Sequence, residues 1–199
     1  MLRYSADKPT EDPRVVRTRQ LIEHAFEGLL NERGFQALRV RDVTERAGIN
    51  RATFYAHFTD KYDLLNYMVQ QRFQAELEKR TLNACQFSQE SLQALIVTVC
   101  EFIADAHGHC CEPNQQFESL VETQVREQVQ ALLEFWLSQE KPEASPSIAA
   151  TAASWVIYGL AQQWSHDKNR IPVAAFADKV FPLITLNLGI GESSAESVQ

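Results

Sequence analysis

No run of roughly eighteen or more consecutive apolar residues occurs in this 199-residue chain, so no segment has the length and apolarity of a membrane-crossing helix. The first apolar-rich segment follows a polar, charged start, so no secretory leader is expected and the expected location is cytoplasmic. The four cysteines, Cys85, Cys100, Cys110 and Cys111, form no CxxC pair. In a reducing compartment they read as free thiols. Strand-type alternation of apolar and polar residues is absent, which excludes a sheet-based fold, and no internal repeat is visible. Also missing are GxSxG, HExxH, a phosphate-binding loop and any spaced carboxylate pair that stands apart from solvated helix faces. Catalysis is therefore not expected, and no cofactor is implied. Positive charge is scarce too: 19 Lys+Arg against 26 Asp+Glu give a net charge of −7. That balance argues against nucleic acid until it is divided along the chain. Residues 1–80 hold 14 basic and 12 acidic side chains, a balance of +2, and residues 81–199 hold 5 and 14, a balance of −9. A basic end on an acidic body is the asymmetry expected when only one end approaches phosphate.

What is present is helical periodicity, and the apolar fraction of 45% supports a real core. After a polar arm over residues 1–11, Asp12-Pro13 supplies a cap and a proline in the first turn of a helix reaching about Arg33, which Gly34 ends. Its buried stripe is Val16, Ile22, Ala25, Phe26, Leu29 and Leu30. A long helix starts near Asp60 and reaches about Arg80. Ser88 caps the next, which Gly108 stops. Asn114 to Leu137 is helical, as one helix or two. Lys141 to Ser147 is a loop, and Ser145-Pro146 opens a helix to about Ser165 rich in small residues. Ile171-Pro172 opens the last helix, which Pro182 is expected to bend. The tail after Gly189 is polar. The fold class is all-α, with about nine or ten helices.

The most informative stretch is Leu38 to Leu65. Asp42 falls in the first turn of a helix starting near Val40, where a carboxylate meets free N–H groups and the positive end of the helix dipole. Gly48 ends that helix in a left-handed conformation, and Asn50 caps the next. Ile49 and Phe54 have the spacing of a hydrophobic staple. Phe54 and Phe58 share one face, while Ala52, Thr53, Tyr55 and Ala56 point elsewhere. Thr59 is expected to cap the long helix. Two helices of this size joined by a tight turn place the start of the second in a DNA major groove.

These residues resemble the TetR-type transcriptional regulators. The likeness is carried by Val40-Arg41-Asp42-Val43, Ala47-Gly48-Ile49-Asn50, Thr53-Phe54-Tyr55-Ala56-His57-Phe58 and Lys61-Tyr62-Asp63-Leu64-Leu65. One departure is Arg39, where the family usually has a capping threonine or serine that touches a phosphate. Arginine cannot accept the capping bond, although it can grip a phosphate itself. The resemblance implies an N-terminal three-helix DNA-binding domain with its arm at 1–59, and a helical ligand-binding and dimerisation domain at 60–199. It also implies a homodimer on a palindromic double-stranded operator, with a small-molecule effector that releases it. Repression is the expected sense, activation the alternative. Arg51, Ala52, Thr53 and Tyr55 are the expected base or base-proximal contacts, and Arg39, Arg41, His57 and Lys61 the expected phosphate contacts. Arg14, Arg17 and Arg19 lie either near the DNA backbone or on an ordinary solvated face.

In the body, Tyr67, Phe102, Phe117, Trp136 and Trp155 are candidates to line an effector cavity, although each singly fits a core. Trp155, Tyr158 and Trp164, beside the small residues of the penultimate helix, fit either a subunit bundle or internal packing. The run His107-Gly108-His109-Cys110-Cys111-Glu112 holds ligand types for zinc or copper, with reach from His166 or Cys100 needed to close a site. Its ligands are nearly consecutive, so a helix end followed by ordinary thiols is the favoured reading. Metal or thiol sensing is the alternative, and no metal is expected.

Overall fold

A computed structural model of the chain describes residues 12–80, 86–109, 115–139 and 145–189, with the side chains of 107–109 left out. The N-terminal arm, most of the 141–147 loop, the C-terminal tail, and Cys85, Cys110, Cys111 and Glu112 lie outside the described residues. Among the described residues there is no strand. Eight α-helical spans follow one another: α1 (Pro13–Ala37), α2 (Val40–Ala47), α3 (Arg51–Tyr55), α4 (Lys61–Arg80), α5 (Gln89–His109), α6 (Gln115–Leu137), α7 (Pro146–His166) and α8 (Val173–Leu188). The first span is two helices joined at Gly34, so the described residues hold nine helical pieces, in line with the expected nine or ten, and Gln115–Leu137 is one helix.

Helix α1 begins where Asp12 accepts the Arg14 N–H at 2.9 Å, with Pro13 in the first turn. Ile22, Ala25, Phe26 and Leu29 are buried. Gly34 ends the main run of the helix, as expected, and a further helical turn follows across the kink. The Gly34 φ of +71°, which costs glycine little, turns the chain before a last turn to Ala37, and that turn carries Phe35 into the core. Gly48 closes α2 at φ +67°, where the Ile49 N–H reaches the Thr44 carbonyl at 3.1 Å. Arg46 crosses to Glu32 of α1 at 2.7 and 2.9 Å. A Cβ on Gly28 would stand 2.9 Å from the Arg46 guanidinium, the movable end of a long side chain.

The start of α4 corrects a capping assignment. Asp60, not Thr59, is the cap: its Oδ1 accepts the Tyr62 and Asp63 N–H groups, both at 2.8 Å. Asp63 then reaches back to the Thr59 N–H at 2.8 Å and hydroxyl at 3.1 Å. A carboxylate wins this position because it meets two free donors at the positive end of the helix.

The body stacks α5, α6, α7 and α8, with α7 against α5, α6 and α8. Ser88 and Ser91 cap α5 reciprocally, each oxygen taking the other's N–H, at 3.1 and 2.9 Å. The small residues of α7 serve internal packing: Ala149, Ala150, Ala153, Ser154 and Ala161 are buried, and side chains this short let neighbouring helices approach closely. Tyr158 and Trp164 are buried as well, whereas Trp155 faces outward. Pro182 sits inside α8, with Val180, Ile184 and Leu188 buried around it. No helix of the described residues is long and apolar enough to cross a membrane.

The cap assignment is open to measurement by urea unfolding. Asp60→Ala is expected to lower stability by about 1 kcal/mol, as loss of an N-cap does, and Thr59→Ala by less than about half of that. The reverse order would restore Thr59 as the cap.

Candidate nucleic-acid interface and an adjoining cleft

The second helix of the DNA-reading pair, α3, is held from both ends. Asn50 Oδ1 accepts the Thr53 N–H at 2.8 Å and the Thr53 hydroxyl at 3.0 Å. Phe54 is fully buried, Phe58 nearly so, and their ring centres lie 5.9 Å apart. With one face of α3 anchored, the opposite face is offered outward: Arg51, Ala52 and Ala56 are exposed, and Tyr55 is 56% exposed although its ring edge rests on Phe54. Thr53 is half-buried, and its hydroxyl proton is already taken by Asn50. The methyl group and the oxygen lone pairs are what it has left for a base edge.

The expected phosphate contacts divide. Arg39 is exposed and has no side-chain capping bond, while the Arg39 N–H donates to Asp42 Oδ2 at 3.0 Å. Only half of a capping box is therefore formed, and the guanidinium is not part of it. Arg41 is exposed and pairs with Glu45 at 2.6 Å along α2. His57 is half-buried beside Phe58. Lys61 departs from its expected place. Its Nζ lies 3.0 Å from the Phe35 and Leu38 carbonyls and 3.4 Å from that of Gln36, over the Phe35 ring. Burial lowers its pKa. A phosphate contact from this ammonium would have to break those bonds. Arg19 also faces inward, its guanidinium 5.3 Å from the Tyr67 ring centre.

The aromatic candidates separate in the same way. A cleft of about 520 Å³ opens between α1, α4, α5 and α6, and Phe102 and Phe117 line it. Tyr67, Trp136 and Trp155 do not. Tyr67 packs on Phe58 in the DNA-reading unit, Trp136 is sealed in the body core against Phe87, and Trp155 is 50% exposed with the Arg126 guanidinium 4.0 Å above its ring. The cleft has an apolar floor that includes Phe26, Leu30, Leu65 and Val69. Its rim is charged: Arg72 of α4 lies 3.6 Å from Glu27 of α1 and 3.1 Å from Asp105 of α5. Glu23 lines it too, its carboxyl pKa raised by burial and only partly drawn back by Arg19 and His24. The α1 residues of the cleft carry no signal of it in the sequence, because Phe26 and Leu30 belong to the ordinary buried stripe of that helix. No local signal joins Arg72 to Glu27 and Asp105.

Among the described residues no group of three or more His, Cys, Asp or Glu side chains is placed to hold a metal. The Cys110–Glu112 part of the suspected cluster is outside those residues. Cys100 is buried in α5, and burial pushes its thiol up to about 12.

An arginine- and tyrosine-bearing short helix, anchored by two phenylalanines at the basic end of an all-α chain, has the form of a helix–turn–helix DNA-reading unit. Residues 21–68 match the family described as bacterial regulatory proteins, tetR family. A curated relative, an uncharacterised HTH-type transcriptional regulator of Bacillus subtilis (strain 168), is 42% identical over 60 residues, 30% of this chain. The matched segment spans only 16% of that relative's length. A TetR transcriptional regulator from Streptococcus agalactiae 2603V shares the fold at a TM-score of 0.58 and 18% identity, over 87% of this chain and 96% of that one. The transcriptional regulator FadR from Bacillus subtilis, solved with stearoyl-CoA, does so at 0.57 and 16%, over 83% and 96%. At these identities the structural likeness is one of fold. The family match is thus confined to residues 21–68, which run from within α1 through α2 and α3 into α4.

The buried thiol yields a direct test. With its pKa near 12, Cys100 is protonated at pH 8. Peptide mapping after native iodoacetamide treatment is expected to show Cys100 unmodified, with modification appearing only after denaturation. Alkylation in the native state would contradict its burial.

Proposed function

We propose that this chain acts as a cytoplasmic homodimeric repressor that binds a palindromic operator through α2 and α3 and is released by a small molecule held among the helices after α3. The observation that carries the DNA-reading part is the outward face of α3, with Tyr55 56% exposed over a buried Phe54. Arg51, Ala52, Thr53 and Tyr55 would meet base edges in the major groove, and Arg39, Arg41 and His57 the flanking phosphates. Lys61 would join them only by leaving the carbonyls of α1. Residues 1–59 would form the DNA-binding domain and 60–199 the ligand-binding and dimerisation domain, with α4 running from one into the other.

Pairing is supported by an apolar face on the last two helices. Ile148 and Trp155 on α7, and Leu183 and Leu186 on α8, are all at least half exposed, Leu186 at 77%. Single exposed apolar residues are ordinary, but four on two helices that pack together supply the apolar surface that a second copy would cover. Two reading heads would then sit about 34 Å apart, one helical turn of DNA. Release by a small molecule is supported by the cleft against α4 and by the neighbouring FadR that holds stearoyl-CoA. A ligand favouring a different spacing of the heads would lower DNA affinity by its differential affinity for the two spacings.

Binding to a DNA fragment selected from a random pool tests the interface. Affinity is expected to fall steeply with salt as phosphate contacts release counterions. Tyr55→Ala and Thr53→Ala are each expected to weaken specific binding by about 1–3 kcal/mol. Unchanged affinity in both would remove α3 from the interface. For the pairing, Trp155→Glu combined with Leu186→Glu is expected to give monomers in sedimentation. A dimer that survives the double change would place the contact elsewhere.

A further inference from the structure

We infer that the cleft between α1, α4, α5 and α6 is built for an amphipathic organic cation, its apolar part on Phe102 and Phe117 and its positive head at the Glu23–Glu27–Asp105 rim. The inference rests on the small-molecule-released reading above and gives it a site and a ligand chemistry. The volume of about 520 Å³ lies within the ordinary range for small-ligand pockets. The floor is apolar and aromatic, with Phe26 fully buried and Phe102 and Phe117 nearly so, and the faces of such rings attract a cation.

The charges choose the sign. Three carboxylates, Glu23, Glu27 and Asp105, line the cleft with one guanidinium, that of Arg72. With Arg19, whose charge acts on Glu23 from outside the lining, and with His24 neutral, the neighbourhood still holds one more acidic than basic side chain. An incoming cation lessens this imbalance and an anion enlarges it, and apolar walls focus the field that distinguishes them. Arg72 already marks where a positive head would rest: its guanidinium bridges Glu27 and Asp105 from the mouth. All three of these side chains are about half exposed. Their pairing is therefore weak enough for a ligand cation to replace the guanidinium.

The replacement would act on the reading head. Glu27 lies on α1, Arg72 on α4 and Asp105 on α5, so Arg72 ties the DNA-reading unit to the body at this point. A cation that takes Glu27 and Asp105 frees α4 from that tie.

Tetraphenylphosphonium and tetraphenylborate have the same shape and opposite charge, and titration calorimetry of the full chain with each tests the inference. Phosphonium is expected to bind saturably, one per chain and at least about tenfold more tightly than borate. Glu23→Gln is expected to weaken it severalfold, and Glu23→Gln with Glu27→Gln further, in variants whose helix content by circular dichroism is unchanged. Equal or tighter binding of borate, no saturable phosphonium binding, or undiminished affinity in the double variant would overturn the inference. Fluorescence anisotropy of bound DNA separates this result from the regulatory reading. Phosphonium that binds without releasing DNA supports the site and overturns release through it. Absence of phosphonium binding by protein that still grips DNA overturns the site alone.

Discussion

The docking of α4 onto the end of α1 is the contact on which the rest of the molecule depends. Gly34 kinks α1 so that its last turn delivers Phe35 inward and leaves the Phe35, Gln36 and Leu38 carbonyls facing α4. Lys61 satisfies those carbonyls, and its ammonium rests over the Phe35 ring. The Phe35 ring in turn meets Tyr62 at 5.2 Å and Phe117, at the start of α6, at 6.2 Å. Gln116 adds polar contacts to Gln36 and to the Tyr62 hydroxyl. One helix start is thus fixed to the DNA-reading unit and to the body through the same few side chains.

Eleven residues beyond Lys61 along α4, Arg72 makes a second connection, through ion pairs instead of aromatic packing. The two differ in strength for a physical reason. Phe35 is buried and its contacts are shielded from water, whereas the Arg72 pairs are half exposed and screened. The firm contact lies near the reading head and the weak one at the mouth of the cleft. This gradient suits a lever held at one end and adjustable at the other.

The parts that were legible in the sequence are those governed by local signals. The Asn50 cap, the Gly48 turn and the Phe54–Phe58 face are each contained within a few residues, and the structure forms all of them. The Ser88 and Pro13 helix starts are similar. Other parts depended on tertiary placement. Asp60 and Thr59 are both good caps, and only the position of Asp63 assigns their roles. Lys61 reads as a surface cation until the carbonyls after Gly34 are in place. The aromatic candidates shared a chemistry but not a location, so Phe102 and Phe117 reach the cleft while Tyr67, Trp136 and Trp155 do not. Arg72 and Asp105 are 33 positions apart, and no periodicity within one helix could join them.

In the proposed homodimer α4 would transmit the state of the cleft to the spacing of two reading heads. The most direct measurement is the distance between spin labels carried by a genetically encoded amino acid at the exposed position 56 of each subunit, recorded by pulsed electron resonance. On selected DNA the account predicts one population near the separation of successive major grooves, about 34 Å, and a shifted population when tetraphenylphosphonium is added and DNA dissociates. A distribution that stays the same while DNA is released would contradict it.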